Sequence, residues 1–287
     1  MTKKYIKSPF NYIGGKYKLL PQILPLFPDK ISTFYDVFGG GGSLSLNVDS
    51  SYVYYNDIVP YVGEVLDEMA RLGYEECISK IEQVIEEYEL SKTNREGFEK
   101  LREDYNNGKK EWHIFYTLVC YSFNSQYRFN NNHEYNSSFG KNKSWFSDTT
   151  KKKIKEFIER ANETHMVYDG LDYLDIDFSD ANENDLVYFD PPYLITCGNY
   201  NDGKRGFKGW TQQDDINLME LCDKLNEQGI RFAMSNVFED KGKTNDLLKE
   251  WSKKYTVYHL NNTYGNCNYQ AKDKSTNTTD EVLIVNY

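Results

Sequence analysis

Short runs rich in β-branched and aromatic residues recur along the chain, at 33–38, 52–55, 166–168, 186–189, 230–234, 256–260 and 282–285. Runs of that length and composition predict buried strands. Between several of them apolar positions fall at helical spacing instead: Leu19, Leu20 and Ile23 within 16–24, and Ile216, Met219, Leu221 and Leu225 within 212–228. Strands alternating with amphipathic helices predict a doubly wound α/β sheet, here with seven strands. The rhythm breaks once, between 61 and 161. That stretch begins with an acidic helical pattern (Ile78, Ile81, Val84, Ile85, Tyr88). It ends, over 124–146, in Asn, Ser, Lys and aromatic residues with no clear period. The organisation expected is a core built from 1–60 and 162–287, with a mainly helical lobe, 61–161, inserted into it.

Composition changes this picture little. The 287 residues allow one enzyme-sized core plus the lobe. A hydrophobic share of 39% is modest, but 16% aromatics, mostly Tyr, supply packing area while keeping hydroxyls hydrated. Five cysteines, at 77, 120, 197, 222 and 267, include no Cys-x-x-Cys pair, which points away from a disulfide framework and toward a reducing cytoplasm. Lys3, Lys4 and Lys7 are not followed by an apolar region, and no apolar run is long enough to span a bilayer, so neither secretion nor a membrane is expected. The four histidines show no metal spacing, and no metal is expected.

Charge is more informative by segment than in total. The net charge of −10 disfavours a nucleic-acid partner if taken as an average. Residues 61–105, however, hold 13 acidic and 6 basic side chains, whereas 126–155 hold 7 basic and 2 acidic. Screening over about 10 Å makes nearby charges decisive, so a local basic face can still meet phosphates.

The sharpest chemical signal is Asp190-Pro191-Pro192-Tyr193, directly after the apolar run 186–189. In an open α/β sheet ligands bind beyond the carboxyl ends of strands, where this tetrapeptide falls. Two prolines lack N–H groups, so the chain leaves the sheet and nearby carbonyls can accept from a ligand. A carboxylate, a carbonyl and an aromatic ring converging there suit an amine conjugated into a heteroaromatic ring. Two acceptors holding its hydrogens localise the nitrogen lone pair, while Tyr193 stacks on the ring. A rigid Asp-Pro turn is the plainer alternative.

The second signal is Asp36-Val37-Phe38-Gly39-Gly40-Gly41-Gly42, after the first strand. Its spacing is neither the dinucleotide fingerprint nor, with Tyr17 after Gly15-Lys16, a phosphate loop. A simple glycine turn and a ligand loop both fit it. Asn56-Asp57 ends the second strand, where an acidic side chain can take ribose hydroxyls or cap a helix. Asp172, after the third strand, is a candidate acceptor for a cofactor amino group, alongside Asp169, Asp175 and Asp177.

In order, Phe10-x-Tyr12-x-Gly14-Gly15-Lys16, Asp36 to Gly42, Asn56-Asp57 and Asp190 to Tyr193 resemble the Dam-like group of DNA adenine-N6 methyltransferases. The resemblance continues through Arg128-Phe129-Asn130, Asn136, Phe139-Gly140-Lys141, Ser235-Asn236 and the final 281–287, and so spans nearly the whole chain. It implies a Rossmann-like seven-stranded S-adenosylmethionine-dependent methyltransferase sheet, with 61–161 as a target-recognition lobe and a DNA-contacting hairpin near 124–146. The cofactor implied is S-adenosylmethionine, held by Tyr12, Gly14, Lys16, Asp36, Phe38, Gly39, Gly40, Gly41, Gly42, Asp57, Asp172 and Asp190. Asp190, Pro191, Pro192 and Tyr193 are implied to be catalytic. Arg128, Phe129, Asn130, Asn136, Lys141, Lys143, Ser235 and Asn236 are implied to face double-stranded DNA, with Phe129 as a wedge beside the flipped adenine; a hairpin that packs Phe129 into its own lobe is the alternative.

The resemblance further implies a monomer, either with a companion restriction endonuclease among its partners or as an orphan or phage enzyme without one. Asn131-Asn132-His133 stands where GATC-methylating relatives often carry basic residues, so that specificity does not follow. Lys204, Arg205 and Lys208 form a further candidate DNA-facing segment, for which a solvated loop is the alternative. A cytosine-N4, RNA, protein or small-molecule methyltransferase, or a catalytically silent DNA-binding protein of the same fold, are the competing readings.

Overall fold

The computed structural model describes residues 4–12, 14–196, 209–261 and 279–287. Among the described residues eight strands form one sheet: β1 (Ile31–Asp36), β2 (Ser50–Asn56), β3 (Val167–Asp169), β4 (Leu186–Phe189), β5 (Arg231–Asp240), β6 (Lys243–Thr244), β7 (Thr256–Leu260) and β8 (Thr279–Val285). Their order is β3-β2-β1-β4-β5-β8-β7, with the two-residue β6 paired to β5. The path from β3 to β5 is parallel, whereas β8 runs antiparallel to both β5 and β7. The seven expected runs are thus the seven strands of this path. The chain moves from β1 outward to β2 and β3, then returns to β4 on the other side of β1. A crevice therefore opens at the carboxyl ends of β1 and β4.

Alternate residues of the central strands enter different cores, as period-two geometry requires. Leu186, Tyr188, Ala233, Leu283 and Val285 face one apolar cluster, and Val187, Phe189, Phe232, Met234, Val282 and Ile284 face the other. The second cluster is closed by helix α7 (Gln212–Glu227) through Leu218, Met219, Cys222 and Leu225. Thr211 begins α7 with a reciprocal capping box to Asp214, satisfying two backbone donors at once.

Near the start, 16–24 does not form one helix. A 3-10 turn at Lys16–Lys18 gives way to the short α1 (Leu20–Ile23) and a second 3-10 turn at Leu24–Leu26. Pro21 and Pro25 each remove a backbone donor, which limits regular α-helix to one turn.

Between β2 and β3 the chain makes α2 (Pro60–Leu72), α3 (Tyr74–Glu87), α4 (Arg95–Asn106), α5 (Trp112–Tyr121) and α6 (Asp148–Glu163). Pro60 occupies a first-turn position where its missing N–H costs nothing, and Gly73, at φ +80°, separates α2 from α3. Asn94 and Ser147 cap α4 and α6 through hydrogen bonds from the amides of Gly97 and Thr150. These helices share one continuous hydrophobic cluster with a face of the sheet, from Phe34 and Tyr55 to Phe98, Phe115 and Phe157. Cys77, Cys120 and Cys222 are buried free thiols; Cys197 and Cys267 lie outside the described residues. No helix among the described residues is long and apolar enough to cross a membrane.

Candidate active site

The carboxyl ends of the first two parallel strands deliver Asp36 and Asp57, both buried, to the crevice. Asp36 Oδ2 accepts a hydrogen bond from Ser45 Oγ at 2.6 Å. Burial pushes the Asp36 carboxyl up to about 7; the Ser45 bond opposes that rise and the Asp190 charge adds to it. Asp57 accepts from the Gly40 amide at 2.7 Å and from the Val59 amide at 2.8 Å. Burial pushes it up to about 6 against those two bonds.

The glycine loop is gripped from both sides. Tyr55 Oη donates to the Gly40 carbonyl at 2.6 Å, while Asp57 holds the Gly40 amide. Gly40 sits at φ +52°, a left-handed conformation that disfavours a side chain. At Gly39 a Cβ would come within 2.2 Å of the Tyr55 ring, so only glycine fits. Asn56 ties the strand ends together: its Nδ2 donates to the carbonyls of Val37 and Leu171, and its Oδ1 accepts from the Leu171 amide. Tyr12 lies over Gly40 and Gly41, and Phe38 packs 5.4 Å from the Tyr173 ring and 5.7 Å from that of Trp210.

At the end of β4, Asp190 meets Lys16. Lys16 Nζ lies 2.7 Å from Asp190 Oδ2 and 3.8 Å from Glu281 Oε1, and 5.1 Å from the centroid of the Tyr193 ring. Tyr193 Oη donates to Asp190 Oδ1 at 2.9 Å and lies 3.4 Å from Glu281 Oε1. Burial first, then the charges of Asp190 and Glu281, keep the Tyr193 hydroxyl protonated. Sequence reading did not single out Glu281. Its signal was a carboxylate, next to Asp280, at the head of the apolar run 282–285.

The remaining candidates divide. Gly14 and Asp172 are exposed, and the Asp172 carboxylate closes its own turn by accepting from the Leu174 amide. Arg128, Asn136, Lys141 and Lys143 are exposed on the segment after α5, where bridges pair Ser122 with Phe139 and Phe129 with Tyr135. The Asn130 side chain is spent on the hairpin turn, accepting from the amides of Asn132 and Glu134 and donating to the Glu134 carboxylate.

Three DNA-facing assignments need correction. Phe129 is 2% exposed, stacked 4.5 Å from Tyr61 and packed against Phe115 and Tyr135, so its ring belongs to the hydrophobic cluster that the helices share with the sheet. Ser235 and Asn236 are 0% and 1% exposed within β5; Ser235 bonds Tyr188 Oη, and Asn236 Oδ1 accepts from the Val237 amide. The exposed ring in this region is instead Phe123, at 50%, followed by Asn124 and Ser125 at φ +57° and +49°. That kink is bonded to the Tyr12 segment through Asn11 Nδ2 and the Asn124 carbonyl. Lys204, Arg205 and Lys208 lie outside the described residues. No group of His, Cys, Asp and Glu among the described residues could hold a metal ion.

The two buried carboxyls carry a pH signature. Each holds a proton more tightly folded than unfolded, where carboxyls titrate near about 4. Their stabilising contribution is therefore full below that value and lost as pH rises through about 6 for Asp57 and about 7 for Asp36. The melting temperature of the wild type should fall relative to that of Asp36→Asn between about pH 4 and about pH 7. A pH-independent difference would mean that Asp36 titrates as an ordinary carboxylate.

Comparison with known proteins gives this constellation a context. Residues 12–266 match the family described as D12 class N6 adenine-specific DNA methyltransferase. Over 286 residues the chain is 51% identical to the type II methyltransferase M.FokI of Planomicrobium okeanokoites, covering 100% of this chain and 44% of that protein. It is 44% identical over 288 residues to the modification methylase StsI of Streptococcus sanguinis, again covering 100% and 44%. Against the modification methylase LlaI of Lactococcus lactis subsp. lactis it is 36% identical over 282 residues, covering 98% and 43%. The chain thus spans less than half the length of these three relatives. The family match takes in the glycine loop, the strand-end carboxylates and the Asp190–Tyr193 turn alike, and this chain belongs to the D12 class N6 adenine-specific DNA methyltransferases.

Proposed function

We propose that the chain transfers a methyl group from S-adenosylmethionine to the exocyclic amine of a flipped adenine in double-stranded DNA, as the modification half of a restriction–modification system. The observation that carries this is Asp190, at the switch point of the sheet, held by Lys16 and Tyr193 beside a glycine loop clamped by Asp57 and Tyr55. The names of the relatives above, modification methylases and a type II methyltransferase, support the system. In this reading 1–60 and 162–287 carry catalysis and 61–161 recognises DNA.

The residues present fit the methyl donor. Buried carboxylates at Asp36 and Asp57 suit a cationic, hydroxyl-bearing ligand, the half-buried rings of Tyr12 and Phe38 offer flat faces, and the glycine loop brings backbone close. When bound, S-adenosylmethionine supplies a methyl group activated by an adjoining positive sulfur. Tyr12, Gly14, Lys16, the Gly39–Gly42 loop and Asp172 complete its site.

The chain's own part is positioning and electrostatics. Asp190 and the Pro191 carbonyl accept the two hydrogens of the target amine, which draws the nitrogen lone pair out of conjugation and aims it at the donor. Pro192 turns the chain out of the sheet, and Tyr193 offers its ring face to the extruded base. A partly buried, prearranged carboxylate acts most strongly in the transition state, as the nitrogen becomes cationic.

Recognition falls to the segment after α5. Lys141, Lys143 and Arg128 meet phosphates, and Asn136 reaches base edges. Phe123, exposed on its kink beside the Tyr12 segment, takes the wedge role. Lys141→Ala should weaken binding to all duplexes and flatten the salt dependence by about one unit of log–log slope. Phe123→Ala should impair base extrusion, read by a fluorescent adenine analogue, with unchanged melting temperature. Unchanged extrusion would remove Phe123 from the interface.

Tritium from methyl-labelled S-adenosylmethionine should appear in unmodified duplex DNA when the two are incubated with the protein. Label found in RNA or protein alone would overturn the reading.

A further inference from the structure

Two hydrogen-bond donors serve two carboxylates at the heart of the crevice. Lys16 Nζ and Tyr193 Oη take one oxygen each of Asp190, at 2.7 and 2.9 Å. The same two groups lie 3.8 and 3.4 Å from Glu281 Oε1. Glu281 sits on β8 between β5 and β7, opposite Val237 and Leu260, and its side chain is 1% exposed, against 18% for Asp190. The sheet thus fixes one carboxylate deep in the wall and sets the other, nearer solvent, on the turn after β4.

This geometry poses a problem for any ligand that must use Asp190 as an acceptor. An ammonium and a phenol already draw on both of its oxygens, which weakens the remaining lone pairs as acceptors, and a buried ammonium cannot be released without another anion to receive it. Glu281 is placed to do that. We propose that Glu281 is a positioning residue that takes up Lys16 and the Tyr193 hydroxyl as the target amine engages Asp190. The exchange is a shift of about 1 Å for Lys16 and about half that for the Tyr193 hydroxyl, judged against ordinary charge-assisted bonds of about 2.7–2.9 Å, and it keeps the buried charges paired throughout. A burial this complete, for a carboxylate that touches no reacting atom, then has a reason beyond packing. The proposal rests on the reading of Asp190 as the acceptor for the amine.

The test is a double-mutant cycle in single turnover, with donor and duplex DNA saturating. Glu281→Gln keeps the shape and an acceptor but loses the charge, so Lys16 stays locked on Asp190. Transfer should slow by about ten- to a hundredfold with donor affinity, measured by calorimetry, within about threefold of wild type. Tyr193→Phe keeps the ring and removes the hydroxyl. The Glu281→Gln penalty should be distinctly smaller in the Tyr193→Phe background than alone, because one of the two donors to be transferred is gone. Glu281→Asp, which keeps the charge, should recover part of the rate.

Three results would overturn the proposal: a Glu281→Gln rate equal to wild type, strict additivity with Tyr193→Phe, or loss of a cooperative melt in both Glu281 variants, which would make the residue structural. Asp190→Ala run alongside separates the two levels. If it too transfers at the wild-type rate, the reading of Asp190 has failed; if it is inactive while Glu281→Gln is unaffected, only the role of Glu281 has.

Discussion

Asp190→Ala should lower single-turnover methyl transfer by about a thousandfold or more while leaving donor and DNA binding nearly intact. The expectation follows from where the carboxylate acts. Its hydrogen bond to the target amine strengthens as the nitrogen gains positive charge, so its loss is felt in the transition state more than in the bound complex. The fold should survive the change. Asp190 lies at the end of β4, partly exposed, and Lys16 keeps Glu281 at 3.8 Å as a counter-charge, so no buried ammonium is stranded. Rates near wild type in a folded variant would remove Asp190 from the chemistry.

The second large effect is on stability. Phe129→Ala should destabilise the protein by about 3–5 kcal/mol, the usual cost of deleting a fully buried aromatic side chain. Its ring is 2% exposed and touches Tyr61, Phe115, Tyr127 and Tyr135, so truncation opens a cavity where α2, α5 and the hairpin meet. Urea unfolding should show the midpoint moving with the slope unchanged. A loss below about 1 kcal/mol, with DNA binding impaired instead, would return Phe129 to the interface.

These two residues mark what could and could not be seen in the sequence. The strands were legible because their burial is written in composition, and each overlaps its apolar run, although β5 continues to Asp240, well past 234. Asp190 and the glycine loop were legible because carboxyl ends of parallel strands are where such a fold binds ligands. The single helix expected over 16–24 failed because apolar spacing outweighed Pro21 within it and Pro25 just beyond it.

Phe129 was misjudged for a different reason. The segment 124–146 lacks an overall period, so an aromatic residue among polar ones reads as exposed. A local alternation was there to be found: Tyr135, Ser137 and Phe139 are buried, whereas Asn136 and Ser138 are exposed, and Phe129 bridges to Tyr135. Ser235 and Asn236 went astray because polar residues near a strand's carboxyl end resemble ligand-facing ones, and only pairing with β8 reveals that they are covered. Glu281 was invisible because its significance depends on Lys16, which is 265 positions away in sequence and 3.8 Å away in space. The Asn56-Asp57 pair held another surprise. Either a ribose contact or a helix cap was expected; α2 has no side-chain cap, and the carboxylate instead holds the amides of Val59 and Gly40, so the loop and the strand end are one device.

The most direct test of the central claim is to identify the methylated atom. Duplex DNA free of methylated bases, incubated with the purified chain and S-adenosylmethionine, is digested to nucleosides and resolved by mass spectrometry against standards. N6-methyladenine, accumulating with wild type and absent with Asp190→Ala, is the predicted result. N4-methylcytosine in its place, or N6-methyladenine formed equally well by the Asp190→Ala variant, would contradict the account.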